Sequence, residues 1–582
     1  MQSTNDISQQ FAHFFPGEIL KGYAQQVFRK LSEGHVCLDL TSASSQQLDE
    51  LARQPFISTQ TSDRQPFILH NNRLYLQRYF YYETTILDRI IRFSVSDKGQ
   101  FEERVTQLRN SSLHLNSLFA EHSNVTGTNW QKVAVVSGVL NDLTIITGGP
   151  GTGKTTTVAR ILALLLTIEP ELKIALAAPT GKAAARMSES LKSAAERLDE
   201  NIRQKFQSLQ PSTIHRLLRT APGESSSYYT SAHPINADVV IIDEGSMIDV
   251  SLFAKLLDAI GDNTRLIILG DKDQLASVEA GSLFGDLCQA AGDLNKFSQR
   301  RVNIINELLD TSERISDTDR AETSNPLFEH VIELRHSHRF TGDESIGRFS
   351  KAVINNDQQS LLQFFHTPGD GKVVTDTNYN DEVFREFISG YAEFIGERDP
   401  LEALRKFNKL RVLCAIREGD QGLSSVNRAI EKLLHQMRLL NPSGDYYENR
   451  PIIVTRNYYN LGLFNGDIGI IRADEKGVMR AYFDDGNESP KTVLPGYLSH
   501  METVFAMTIH KSQGSEFERV LVLLPNADNI PILTSELLYT AITRAREKVV
   551  LQASQYSVLQ AAAKRVERGS GIIDRLKMQT IN

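Results

Sequence analysis

The chain has 582 residues, 41% of them apolar and 23% charged, the usage of a soluble globular protein with room for about four domains. Asp and Glu outnumber Lys and Arg by 71 to 63, a net charge of −8 that excludes a basic coat over the whole surface and still permits a local basic groove. Cys37, Cys288 and Cys414 stand far apart without C-x-x-C spacing, which excludes a disulfide scaffold, argues against a zinc or iron–sulfur centre and suits a reducing compartment.

The first residues lack the basic and apolar regions of a secretion signal. Ile161–Leu166, one of the longest apolar runs, is far short of the ~20 residues a membrane helix needs. A cytoplasmic location without a membrane partner is expected. Residues 1–120 carry no nameable motif; aromatic and aliphatic residues recur at mixed spacing (Phe11, Phe14, Phe15, Ile19, Leu20, Tyr23), and a mostly helical docking domain is expected. From Leu143 the pattern alternates strand and helix. Leu143–Thr147, Lys173–Ala177, Asp238–Ile242 and Arg265–Leu269 read as buried strands, and Thr155 to about Thr167 as a helix. Such alternation predicts a parallel sheet covered on both faces. The polar stretch 311–326 reads as a surface loop. A second series follows with strands near Arg411–Ala415, Val504–Met507, Arg519–Leu524 and Lys548–Leu551. Within it, about 444–500, the turn signals Asn465-Gly466, Asp485-Gly486 and Pro495-Gly496 separate short strands such as Pro451–Thr455 and Ile468–Ile471. That spacing predicts an inserted small β-barrel.

The strongest chemical signal is Gly148-Gly149-Pro150-Gly151-Thr152-Gly153-Lys154-Thr155, followed by Thr156. It fits G-x-x-x-x-G-K-[ST], between a predicted strand and a predicted helix. The glycines let N–H groups curl around phosphate oxygens, and the helix N-terminus adds partial positive charge. Lys154 is expected on the β- and γ-phosphates of ATP and Thr155 on Mg²⁺. A second acid must hold the metal. Asp243, at the end of an apolar strand, is expected in that role, with Glu244 as general base. Acid pairs at strand ends are common helix caps, so the pair gains its weight from the P-loop. Gln274 follows another strand in Gly270-Asp271-Lys272-Asp273-Gln274-Leu275 and is a candidate γ-phosphate sensor, or simply a turn residue. Arg339 and Arg544 could stabilise charge on the transferring phosphoryl group; surface salt bridges are the bland alternative.

With these pieces in place the chain resembles superfamily 1 helicases, and among them the RecD family, the alpha subunit of exodeoxyribonuclease V. The resemblance spans roughly residues 125 to 552. It rests on the P-loop segment, Ala178-Pro179-Thr180-Gly181-Lys182, Thr213-Ile214-His215-Arg216, Ile242-Asp243-Glu244 and Gly270–Leu275. Most specific are Thr508-Ile509-His510-Lys511-Ser512-Gln513-Gly514-Ser515-Glu516-Phe517 and Tyr539-Thr540-Ala541-Ile542-Thr543-Arg544-Ala545-Arg546. Gly245 and His338 stand where the family pattern has alanine and tyrosine.

The resemblance implies an α/β fold of two RecA-like P-loop NTPase domains, 121–335 and 336–443 with 501–582, with ATP and Mg²⁺ in the cleft between them. It also implies 5′-to-3′ movement on single-stranded DNA loaded from duplex ends. Gln131 matches the glutamine that reads adenine, and Glu516 the acid near the ribose. Thr180, His215, Thr508 and His510 fall in segments that line the DNA track, although caps or core polar groups would look the same. RecB and RecC subunits are the implied partners, with nuclease chemistry in RecB. A stand-alone helicase of the same superfamily is the alternative; an RNA helicase and a catalytically silent adaptor are others. Deleting residues 1–120 is expected to release partners while leaving the ATP site.

Overall fold

The computed structural model describes residues 7–578 except 62, 121–126, 197, 221–225, 278, 341–344, 368, 487–488 and 528–529; within residues 95–99 it describes backbone only. The boundary expected at 120/121 borders residues outside that set. The chain forms two compact units. The first comprises 1–272, 276–337 and 567–582; the second comprises 273–275 and 338–566.

The first unit is built on a six-stranded sheet. Its order is Val331–Leu334, Leu143–Gly148, Arg265–Gly270, Val239–Ile242, Ile174–Ala178 and Ser212–Thr213. Every pairing is parallel. Because side chains alternate along a strand, each central strand feeds two cores. Ile145, Val240, Ile242, Leu266 and Ile268 enter one. Ile146, Val239, Ile241, Ile267 and Leu269 enter the other. Such two-sided burial explains why these strands are continuous apolar runs. The helix after the first glycine loop runs Lys154–Ile168.

The N-terminal region is mostly helical, as expected. It adds a four-stranded sheet of Cys37–Asp39, Arg73–Leu76, Phe67–His70 and Ile57–Ser58. It is also not separate. The 34-residue helix Gln77–Asn110 packs on Val250–Ala259, and Val36, Tyr75, Phe80 and Ile86 share a core with Ile145 and Val240. Removing residues 1–120 would therefore strip the P-loop sheet of part of its core, contrary to expectation. The C-terminal residues 567–582, expected with the second series, belong to the first unit. The helix Ile572–Lys577 packs on Leu283–Ala290, burying Ile572 and Leu576.

The second unit carries a five-stranded parallel sheet. Its order is Val373–Asp376, Ala545–Gln552, Phe517–Leu523, Leu410–Cys414 and Ala506–Thr508. The inserted stretch forms a five-stranded antiparallel sheet: Lys491–Val493, Met479–Phe483, Ile468–Ala473, Arg450–Val454 and Met501–Thr503. It reaches Thr503, beyond the expected end at 500. Among the described residues its two edge strands do not pair, so closure into a barrel is not observed. Its small core is Ile452, Val454, Ile471, Ala481 and Phe483. Arg472 anchors it, donating to the carbonyls of Glu397 at 2.7 Å and Phe394 at 2.8 Å. Among the described residues no helix is long and apolar enough to cross a membrane. The three cysteines are buried and outside any disulfide.

Candidate active site

The glycine loop leaves the sheet at Gly148 and enters the helix at Lys154. Gly151 and Gly153 take φ of 75° and 80°, conformations that side-chain-bearing residues avoid. A Cβ on Gly153 would lie 2.3 Å from Gln131 Nε2, so glycine is required twice over. The Lys154 ammonium donates to the carbonyls of Gly148 at 2.6 Å and Gly149 at 3.2 Å. Thr152 Oγ1 donates to Gly149 O at 2.8 Å. The loop is thereby folded back on itself, with the ammonium resting on neutral oxygens.

Asp243 and Glu244 follow the strand Val239–Ile242. Glu244 adopts φ 54° and donates its N–H to Asp243 Oδ1 at 2.8 Å. Burial, and then the Glu244 carboxylate, push Asp243 up to about 6, against the pull of Lys154 and Arg186. A carboxylate raised in this way is short of positive charge, which a divalent cation would supply. Two side-chain oxygens, from Thr155 and Asp243, suit a magnesium ion completed by phosphate and water. Among the described residues no cluster of three or more His, Cys, Asp or Glu could hold a metal by itself.

Gly245 departs from the alanine of the family pattern for a steric reason. A Cβ there would meet Ile268 Cγ2 at 2.8 Å, and Leu269 O and Phe284 Cδ2 at 3.0 Å. The Phe284 ring also lies against Gly270.

Gln131 sits in the first turn of the helix Trp130–Leu140, capped by Asn129. Its Nε2 donates to Thr152 O at 2.9 Å, and its Oε1 accepts from Arg160 at 2.7 Å. The amide thus ties the P-loop to the P-loop helix. Sequence reasoning missed Arg160, although a lone arginine inside the apolar run of that helix was the available signal. It stacks on Phe119 at 4.1 Å. Also missed was Ser337, whose hydroxyl donates to Pro150 O at 3.0 Å.

Thr180 caps the helix Gly181–Ala195, its hydroxyl accepting from Ala183 N at 3.2 Å. His215 is exposed in the short helix Ile214–Leu217.

The other candidates belong to the second unit. Gln274 is buried there. Its neighbour Leu275 donates its N–H to Thr540 Oγ1 at 2.9 Å and accepts from Gln513 Nε2 at 2.5 Å. Arg544 is 3% exposed and donates to Thr540 O at 3.2 Å and Ser515 O at 3.0 Å. Arg339 pairs with Glu516 at 2.5 Å. Arg546 grips the other Glu516 oxygen with two N–H groups, at 2.9 and 2.8 Å. Glu516 is therefore a bridge between two guanidinium groups. Thr508 Oγ1 accepts from Lys511 N at 3.3 Å, two residues from His510.

Comparison with known proteins gives the family of the chain. A model described as an AAA domain matches residues 131–280, and one described as a UvrD-like helicase C-terminal domain matches 503–552. The "RecBCD enzyme subunit RecD" of Mycolicibacterium smegmatis is 34% identical over 94% of this chain and 92% of its own length. The chain belongs to the RecD family. The Haemophilus influenzae RecD subunit is 36% identical over 76% of this chain and 72% of its own. The "ATP-dependent RecD2 DNA helicase" of Deinococcus radiodurans is 27% identical, over 75% of this chain and 50% of its own. Among solved structures, a Pif1 helicase studied in unwinding of forked DNA aligns at 18% identity over 73% of this chain and 92% of its own, with a TM-score of 0.36, too loose a likeness to build on.

Proposed function

We propose that the chain is an ATP-driven 5′-to-3′ DNA helicase subunit that works with RecB- and RecC-type partners on duplex ends, in the cytoplasm, in double-strand-break repair. The observation that carries this reading is the joint presence of a formed phosphate loop, a half-buried acid pair and two arginines within a RecD-family chain. The two parallel α/β sheets are the cores of RecA-like motor domains. Identity of 34% and 36% to RecBCD subunits, against 27% to RecD2, favours the subunit over a stand-alone helicase.

The residues have separable tasks. Loop N–H groups of Gly149–Thr155 and the Lys154 ammonium hold the β- and γ-phosphates. Lys154 exchanges two neutral carbonyls for charged phosphate oxygens, a stronger pairing. Thr155 and Asp243 would hold Mg²⁺, which neutralises phosphate charge when bound. Glu244 takes the proton from the attacking water. Gln274, Arg339 and Arg544 are the groups that answer to the γ-phosphate. Gln131 holds the adenine end of the loop, and Thr180, His215, Thr508 and His510 remain the candidate DNA contacts.

Replacing Lys154→Gln tests this reading. Expected is loss of DNA-stimulated ATP hydrolysis with an unchanged unfolding transition; undiminished turnover would refute it. Single-stranded DNA should stimulate hydrolysis more than RNA of the same length. Co-purification with RecB- and RecC-type chains is expected, and recovery of a lone monomer would favour the stand-alone alternative.

A further inference from the structure

Arg160 interrupts an otherwise apolar stretch of the helix Lys154–Ile168. Val158, Ala159, Ile161 and Leu162 are buried around it, and Arg160 itself is only 8% exposed. Taking a guanidinium out of water is costly unless its donors are used. Its carbon lies 4.1 Å from the centroid of the Phe119 ring, and its Nη1 donates to Gln131 Oε1 at 2.7 Å. At the other end of the same amide, Gln131 Nε2 donates to Thr152 O at 2.9 Å. The backbone that bears Gln131 is placed by other groups. Asn129 Oδ1 accepts from Lys132 N at 3.1 Å, the buried Lys132 ammonium pairs with Glu313 at 3.2 Å, and Trp130 stacks on Phe297 with centroids 6.5 Å apart. All of these residues belong to the first unit.

The two contacts of the amide have opposite requirements. A guanidinium only donates and a backbone carbonyl only accepts. The amide therefore has one sense, oxygen toward Arg160 and nitrogen toward the P-loop; turned over, it would set N–H against N–H and oxygen against oxygen. Of the two contacts the one to Arg160 is charge-assisted and the stronger. The sense of an amide matters to a purine. Adenine presents an amino donor beside the N7 acceptor, which an amide oxygen and nitrogen complement; guanine presents a carbonyl acceptor there in place of the amino group. Only an amide turned to offer its nitrogen could meet that carbonyl.

We infer that Arg160 is a positioning residue that sets nucleotide specificity: it fixes the sense of the Gln131 amide and with it the choice of adenine over guanine. The inference rests on the proposed role of Gln131 at the adenine end of the ATP site.

The test uses the full chain with single-stranded DNA and compares kcat/KM for ATP with kcat/KM for GTP. Arg160→Met keeps an aliphatic stem against Phe119 and removes the donors; Arg160→Lys keeps a charged donor. Expected for Arg160→Met is a fall of about tenfold in the ATP/GTP ratio, the size of one charge-assisted hydrogen bond, carried by KM for ATP rather than by kcat. Arg160→Lys should restore part of the preference. In a Gln131→Ala background, where the preference is already lost, Arg160→Met should not move the ratio further, because the two side chains act as one unit. Both nucleotides are read on the same preparation, so a fraction of unfolded chain lowers both rates and leaves the ratio untouched. A ratio unchanged in Arg160→Met while Gln131→Ala lowers it would overturn the inference, as would equal use of ATP and GTP by the wild-type chain. A wild-type chain without DNA-stimulated hydrolysis of either nucleotide would instead overturn the functional reading on which it stands.

Discussion

The P-loop and the arginine-bearing segments present two ways of keeping charge ready for a phosphate. At the P-loop, backbone geometry does the holding: two glycines at positive φ shape the loop, and Lys154 rests on uncharged carbonyls. A phosphate oxygen displaces such partners readily. In the second unit Arg339 leans on the Glu516 carboxylate, which Arg546 also holds. A charge-assisted pair must be given up before Arg339 can serve elsewhere. Arg544 is different again, buried and fixed by the carbonyls of Thr540 and Ser515. The two arginines, interchangeable on a sequence line, are therefore unequal: one is set in place and the other is tethered.

The largest effect should come from Arg544. Arg544→Ala is expected to lower kcat about a thousandfold. It should also lower stability by about 1–3 kcal/mol, because the carbonyls of Thr540 and Ser515 each lose a donor. Steady-state kinetics with urea unfolding checks both. Equal behaviour of Arg339→Ala in both assays would erase the distinction.

A second prediction probes how the first unit is closed by residues around the C-terminal helix Ile572–Lys577. Glu83 is buried and accepts the Gly571 N–H at 2.9 Å. Burial, partly offset by that N–H and by Arg575, raises it from 4.5 to about 7. The folded state binds the extra proton between those values. Its contribution is thus complete below 4.5 and is lost as pH rises through 7, up to about 3 kcal/mol. Asp286, raised by burial to about 6, acts with the same sign. Urea unfolding at pH 5 and pH 8 should show a steeper decline for wild type than for Glu83→Gln; parallel declines would count against the buried clamp.

Two smaller effects sharpen the contrast. Gly245→Ala should cost about 1–3 kcal/mol by overpacking against Phe284, and Phe284→Leu added to it should restore part; additive losses would show the ring is not the obstacle. Glu516→Gln and Arg546→Ala should move kcat in opposite directions, each by about two- to fivefold. The first loosens Arg339, and the second leaves it as the carboxylate's sole guanidinium partner among these three.

Much of this was legible in the sequence because the signals are local. The buried strands Leu143–Gly148, Val239–Ile242 and Leu410–Cys414 are β-branched or aliphatic runs, and the P-loop declares itself by glycine spacing. The N-terminal sheet was not legible: its strands are two to four residues long, too short for periodicity to register. The edge strand Val331–Leu334 hid beside charged residues. The packing of the C-terminal residues had no local signature: Arg568 donates to the carbonyls of Glu279 and Gly281, hundreds of residues away. Gly245 looked like a departure from a pattern until Phe284 was placed against it.

That last separation has a consequence for how the protein is made. Arg73 pairs with Asp574 across 501 residues, and Gly571 with Glu83 across 488. A ribosome adding ~5–20 residues per second needs on the order of a minute to bridge that distance. Throughout that time Tyr75 and Glu83 wait without the segment that covers them. The first part of the chain to be synthesised is thus among the last to be completed, and a chaperone has its longest window there.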